Sequence, residues 1–176
     1  EIGGPSVKPY QPKGVWESTT SGRGVLASYK QDHGSSLYRR GLYTIFKLTA
    51  PPPVLMIFDA SSRDQCEGKR TSTNTPLQAL SMLNDPTVLE ASRVLAENIS
   101  LQQNDLDEKI EQAFKVILVR KPSKFEKTKL VEYCMKQQEF FTENPDLLKS
   151  TLEVGEFEHP KEEVDKLEAG ALMKTI

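Results

Sequence analysis

Helix starts marked by proline constrain this chain more than any other feature. Proline lacks a backbone N–H and holds φ near −65°, so it fits the first helical turn and disrupts a helix interior. Thr75-Pro76-Leu77-Gln78 combines an N-cap threonine, a proline at the first helical position and a glutamine placed to close a capping box. Asp85-Pro86 and Asn144-Pro145 repeat the proline start, and Ser123-Lys124-Phe125-Glu126 forms a second capping box directly after Pro122. These signals predict helices from Pro76 to Asn84, from Pro86 to about Ile99, from Ser123 towards Phe141 and from Pro145 to about Val154. Ile110, Ala113, Phe114, Ile117 and Leu118 follow the spacing of one buried helical face. The short turn at Pro122 joins that helix to the next as a helical hairpin.

The rest of the chain carries weaker signals. Residues 1–36 are rich in Gly, Pro, Ser and Thr and read as an irregular region wrapped on the fold. Short extended pieces are expected around Ser6–Tyr10 and Gly24–Tyr29, with Trp16 between them pinning the loops to the core. Leu37, Tyr38, Leu42, Ile45 and Phe46 outline a helical stripe from Leu37 to Leu48. Pro51, Pro52 and Pro53 then impose an extended segment, and Val54–Phe58 reads as a strand or a buried extended piece. Residues 159–176 read as a charged, marginal terminal helix. The expectation is a mainly α-helical single domain of about six helices, with at most a minor β element. Its regions are the wrapping segment 1–36, a helical core over 37–158 and the terminal helix.

Composition narrows the function classes. At 176 residues with 37% hydrophobic content, the chain is long enough to bury a core. No apolar run approaches the roughly 20 residues that span a bilayer, so no membrane insertion is expected. Residues 1–84 hold ten Lys and Arg against six Asp and Glu, and the remainder is acidic. That excess is too small for a surface that tracks nucleic-acid phosphates, so no nucleic-acid partner is expected. A basic face docking on the acidic helical half is the simpler reading. Cys66 sits in a loop and Cys134 on an apolar face, and neither His33 nor His159 falls in a metal-ligand spacing.

Functional groups crowd together only in the polar loop Asp59–Thr75. Asp59, Arg63, Asp64, Arg70 and Asn74 either form a ligand site, with the arginines as forked donors to an anion, or hold a long loop closed from within. The second reading is favoured, because a polar network alone is not a site. Asp59 with Asp64 as paired catalytic carboxylates lacks anything to fix their separation, and Cys66 lacks a placed base. No catalytic residue and no metal site is assigned. The acidic stretch Glu153–Glu168 reads as a solvated helix face, without the spacing or central glycine of a calcium loop. Trp16, Tyr29 and Tyr38 form a candidate aromatic platform.

The strings GGPSVKPYQPKGVW, YRRGLYTIFKLTAPPP, FDASSRDQC, TNTPLQALSMLNDP and AFKVILVRKPSKFE resemble the planctomycete-type C-terminal domain of unknown function, the PSD domain, over about residues 2–140. The resemblance implies a fragment of a longer, exported, periplasmic or cell-surface protein that carries a c-type haem domain elsewhere. It implies no haem in this segment, which has no Cys-x-x-Cys-His. The resemblance supplies no activity; the surplus of aromatics and loops in the first third instead leads to the expectation of a non-catalytic structural or interaction module that packs on the preceding domains of the same polypeptide through that aromatic, basic region. The alternative is a carbohydrate-binding or polysaccharide-degrading domain that uses the Asp59–Thr75 loop and the aromatic platform.

Overall fold

The computed structural model describes residues 3–11, 14, 16, 28–47, 50–61, 66, 68–103 and 105–176. Seven α-helices occur among them: α1 (Pro53–Ile57), α2 (Pro76–Asn84), α3 (Pro86–Gln102), α4 (Leu106–Leu118), α5 (Lys124–Glu143), α6 (Pro145–Leu152) and α7 (Lys166–Thr175). The fold is mainly α-helical. Its residues group into two compact units, Glu1–Asp85 and Pro86–Ile176, a boundary inside the region 37–158 that the sequence reads as one helical core.

In the first unit, backbone pairing replaces the expected helix over Leu37–Leu48. Two short 3-10 turns, Gly34–Tyr38 and Gly41–Tyr43, stand there instead. The N–H of Val7 donates to the Tyr43 carbonyl at 2.8 Å, and Ile45 N–H donates back to Val7 at 2.9 Å. These groups are spent on the N-terminal segment, so an i to i−4 ladder cannot form through them. Val7 and Thr44 thus make a parallel bridge, with Lys47 and Ala50 forming a second, antiparallel one. The expected extension at Ser6–Tyr10 is present around Val7, while most of Gly24–Tyr29 lies outside the described residues. Arg39 donates to the carbonyls of Pro5 and Gly3 and lies 3.8 Å from the centre of the Tyr43 ring, which clamps the start of the chain.

The triple proline also acts differently from the sequence reading. Val54–Phe58 is not a strand: Pro52 is the N-cap and Pro53 the first residue of α1. A proline run ends one conformation and pre-sets φ for the next helix equally well. The α2 capping box forms as expected. Thr75 Oγ1 accepts from Gln78 N–H at 3.3 Å, and Gln78 Oε1 accepts from Thr75 N–H at 3.0 Å.

The second unit has a single apolar core built from Ala96 and Ile99 of α3, Ile110 and Ala113 of α4, Cys134 of α5, Leu152 of α6, and Ala171, Leu172 and Met173 of α7. The terminal helix, expected to be marginal, is the most deeply buried element. Five consecutive residues, Ala169–Met173, are buried, and α7 packs on α3, α5 and α6. Charges at its start masked this in the sequence. Gly170 lets α7 approach α6 closely: a Cβ there would come within 2.3 Å of Leu148 Cδ1 and force that side chain to shift. Asp165 caps the helix by accepting from the N–H groups of Leu167 and Glu168.

The buried stripe of α4 holds only in its first half. Ile110 and Ala113 are buried, whereas Ile117 and Leu118 are exposed. The helix ends at Val119, whose φ of 56° and ψ of 25° are left-handed. The α5 capping box then forms at Ser123 and Glu126. Glu153–Glu168 is mainly loop rather than a solvated helix face. Gly155, at φ +86°, turns the chain so closely over Glu90 that a Cβ would overlap its carboxylate.

Candidate functional site

Among the described residues of the polar loop, Asp59, Arg70 and Thr73 are tied together by hydrogen bonds. Asp59, held at φ 57° in the left-handed region that aspartate tolerates, accepts from Thr73 N–H at 2.7 Å and from Thr73 Oγ1 at 2.8 Å. Gln78 Nε2 reaches the carbonyl of Ile57 at 2.9 Å and Thr73 Oγ1 at 3.0 Å. Hydrogen bonds from Thr73, first from its backbone and then from its hydroxyl, hold the Asp59 carboxyl below the usual carboxylate range. Arg70 donates not to that carboxylate but to the backbone carbonyls of Asp59 at 3.0 Å and Phe58 at 2.9 Å. Asn74 is exposed. Arg63 and Asp64 lie outside the described residues. The arrangement joins α1 to the start of α2, so the cap at Thr75 and the Asp59 network support each other. Thr75→Ala should lower stability by about 1 kcal/mol, measured as a shift in the urea midpoint; an unchanged midpoint would separate the cap from the network.

The three aromatics take different positions. Trp16 is 1% exposed, with the Lys47 ammonium 4.9 Å from its ring centre and the Tyr29 ring centred 5.3 Å away. Its ring is therefore buried against Tyr29 and Lys47. Tyr29 is half-buried and donates its hydroxyl to the Pro9 carbonyl at 2.5 Å. Tyr38 alone of the three is exposed. Burial, and then the negative charge of Asp32, push the Tyr29 phenol up to about 12. Because the folded state holds this proton more tightly than the unfolded chain, its contribution to stability is complete below pH 10. It is lost as pH rises through about 12. Phenolate absorbance should show one tyrosine ionising late, and Tyr29→Phe should remove that step.

A second polar assembly, in the second unit, was not identified from the sequence. Glu90, Arg93 and Glu97 are all buried on α3. Arg93 donates to both oxygens of Glu97 at 3.1 and 3.0 Å, to the Val154 carbonyl at 3.2 Å and to the Phe157 carbonyl at 2.6 Å. Glu90 accepts from Glu156 and Phe157 N–H at 2.5 and 2.6 Å. His159 Nδ1 lies 2.7 Å from Glu97 Oε1 and 3.0 Å from Arg93 Nη1, so its tautomer decides whether it donates to the carboxylate or accepts from the guanidinium. The three α3 residues have the i, i+3, i+7 spacing of one helical face. Ionisable groups recurring at that spacing, on a helix with an otherwise buried side, are the signal that would have revealed them.

His159 and Glu97 stand on the wall of a cleft of about 910 Å³ between α6, the following loop and the start of α7. Glu153, Glu163 and Lys149 also line it. Chemically this wall accepts and donates hydrogen bonds. Among the described residues no group of three or more His, Cys, Asp or Glu is placed to hold a metal ion. Cys66 is exposed, Cys134 is buried, and both are free thiols. Burial pushes the Cys134 thiol up, away from the nucleophilic thiolate.

A family model described as PSD1, a protein of unknown function (DUF1553), matches residues 1–134. No curated protein and no solved structure matches the chain.

Proposed function

Because this chain belongs to the PSD1 family, whose function is unknown, we propose from its own surface that it is a non-catalytic interaction module docking on other domains of its polypeptide. The observation that carries this reading is α2. Leu77, Leu80, Met82 and Leu83 are each more than half exposed on a nine-residue helix with a complete capping box. A helix capped this firmly keeps its apolar side chains at fixed positions, which is what a docking surface needs and what a soluble face does not. We place the docking surface on α2, where the exposed apolar side chains lie, since Trp16 of the aromatic first third is itself buried. The setting we propose is an exported, multidomain protein with c-type haem outside this segment. Its parent reading frame should carry a signal sequence and a Cys-x-x-Cys-His.

Hydroxyl-radical footprinting provides the test. Met82 and Leu83 should label strongly in the isolated chain and be protected in the full-length protein, with Leu80→Asp restoring labelling. Equal labelling in both would reject the proposal. A second reading, recognition of a polyhydroxylated ligand such as a glycan, is supported by the cleft beside His159, where carboxylates and Lys149 alternate as acceptors and donors. Under that reading, oligosaccharide titration should perturb the His159 ring resonances, and unshifted resonances at millimolar glycan would exclude it.

A further inference from the structure

The turn between α4 and α5 concentrates exposed apolar side chains. Val116, Ile117, Leu118, Val119 and Phe125 all face solvent, Val119 at 87% and Phe125 at 73% exposure. Val119 is unfavourable twice over. A β-branched residue is an outlier in the left-handed region, where glycine or asparagine normally ends a helix. Its side chain also stands almost entirely in water. A strained, exposed apolar residue at a helix end contributes nothing to the fold that glycine would not contribute better, and such positions point towards function.

The charges around this tip specify what it meets. Lys115, Lys121 and Lys124 are exposed and have no salt-bridge partner within 4.0 Å among the described residues. The carboxylates nearest the turn are already engaged. Glu126 accepts both Arg120 guanidinium nitrogens at 2.8 and 3.0 Å, and Glu111 accepts Lys127 at 2.9 Å. Arg120 also lies 4.7 Å from the centre of the Phe114 ring. Behind the tip is an apolar groove of about 250 Å³ lined by Phe114, Ile117, Leu118 and Leu130.

We propose that the α4–α5 turn is a peripheral membrane-contact element that seats Val119 and Phe125 among the headgroups of an anionic phospholipid surface. Lys115, Lys121 and Lys124 meet the lipid phosphates, and the groove behind the turn receives acyl methylenes. The contact lies on the surface. No helix among the described residues is long and apolar enough to cross a membrane. A projecting knuckle of aromatic and aliphatic side chains ringed by cations without a direct salt bridge matches the interfacial mode of binding, in which apolar burial and attraction to anionic lipid add.

The full chain should sediment at low salt with vesicles of phosphatidylglycerol and phosphatidylcholine in equal parts, and poorly with phosphatidylcholine alone. Phe125→Ser should reduce partitioning about tenfold or more, and each Lys→Glu change at 115, 121 or 124 about fivefold or more. Val119→Gly is the decisive variant, because it removes the apolar tip while relieving the left-handed strain. It should bind vesicles about tenfold more weakly and melt at or above the wild-type temperature. Absence of sedimentation with anionic vesicles would overturn the proposal. So would wild-type partitioning of Val119→Gly and Phe125→Ser, or retention by immobilised polyglutamate without vesicle binding, which would assign the tip to an acidic protein.

Discussion

A chain ending at Asp165 loses the cooperative unfolding of its second unit. The deletion removes Ala169–Met173, all buried, from contact with α3, α5 and α6. Truncating one buried leucine or methionine to alanine typically costs about 2–5 kcal/mol. Losing Leu172 and Met173 together with their helix therefore removes a free energy comparable to the stability of a whole domain, about 5–15 kcal/mol. It also uncovers the inward faces of Ile99, Ile110 and Cys134, and strips Lys109 of Glu168, its partner at 2.5 Å. The expected product keeps helical far-ultraviolet dichroism but melts without a sharp transition and binds a hydrophobic dye. A sharp transition in the truncated chain would show that α7 caps the core rather than completes it.

Arg93→Ala should cost about 3–5 kcal/mol, the range for removing one partner of a buried ion pair. Arg93 is 1% exposed and Glu97 is 5% exposed. Without the guanidinium, Glu97 keeps, among the described residues, His159 Nδ1 at 2.7 Å, and the carbonyls of Val154 and Phe157 lose the Arg93 donor. The penalty arises from leaving the carboxylate behind, so Arg93→Met combined with Glu97→Met should recover much of the loss. Urea titration of the two single variants and the double variant measures this coupling. Additive losses would mean that Arg93 stabilises the unit through packing and its bonds to the Val154 and Phe157 carbonyls, not through Glu97.

Helix starts were legible because they are local. The capping boxes at Thr75 and Ser123 and the prolines at 86 and 145 specify their helices within four residues. The stretch 37–47 is not α-helical because its conformation depends on a partner more than 30 residues away, Val7, which takes the backbone groups of Tyr43 and Ile45; at 53–57 the prolines start a helix rather than extend the chain. Neither a helical stripe nor a proline run carries that information. The terminal helix was undervalued for the same physical reason. Its charged ends are local, whereas the neighbours that bury Ala169–Met173 come from α3, α5 and α6.

The candidate sites divide in the same way. Of the polar loop residues the sequence marks, Asp59 and Arg70 are joined by hydrogen bonds with Thr73, Gln78 and nearby carbonyls, while Arg63 and Asp64 lie outside the described residues. Glu90, Arg93 and Glu97 were not legible, because their meaning depends on the loop at Val154–His159 that they hold, some 60 residues further on.

Position along the chain gives α7 a kinetic consequence as well. Its residues are synthesised after every other helix of the unit that they complete. While Ala169–Met173 are still inside the ribosome, the faces of Ile99, Ile110 and Cys134 have nothing to close on. At about 5–20 residues per second, this exposure lasts seconds during each round of translation. A nascent chain in that state is a client for holding chaperones, and slowing translation over the codons of α7 lengthens the window in which aggregation competes with folding.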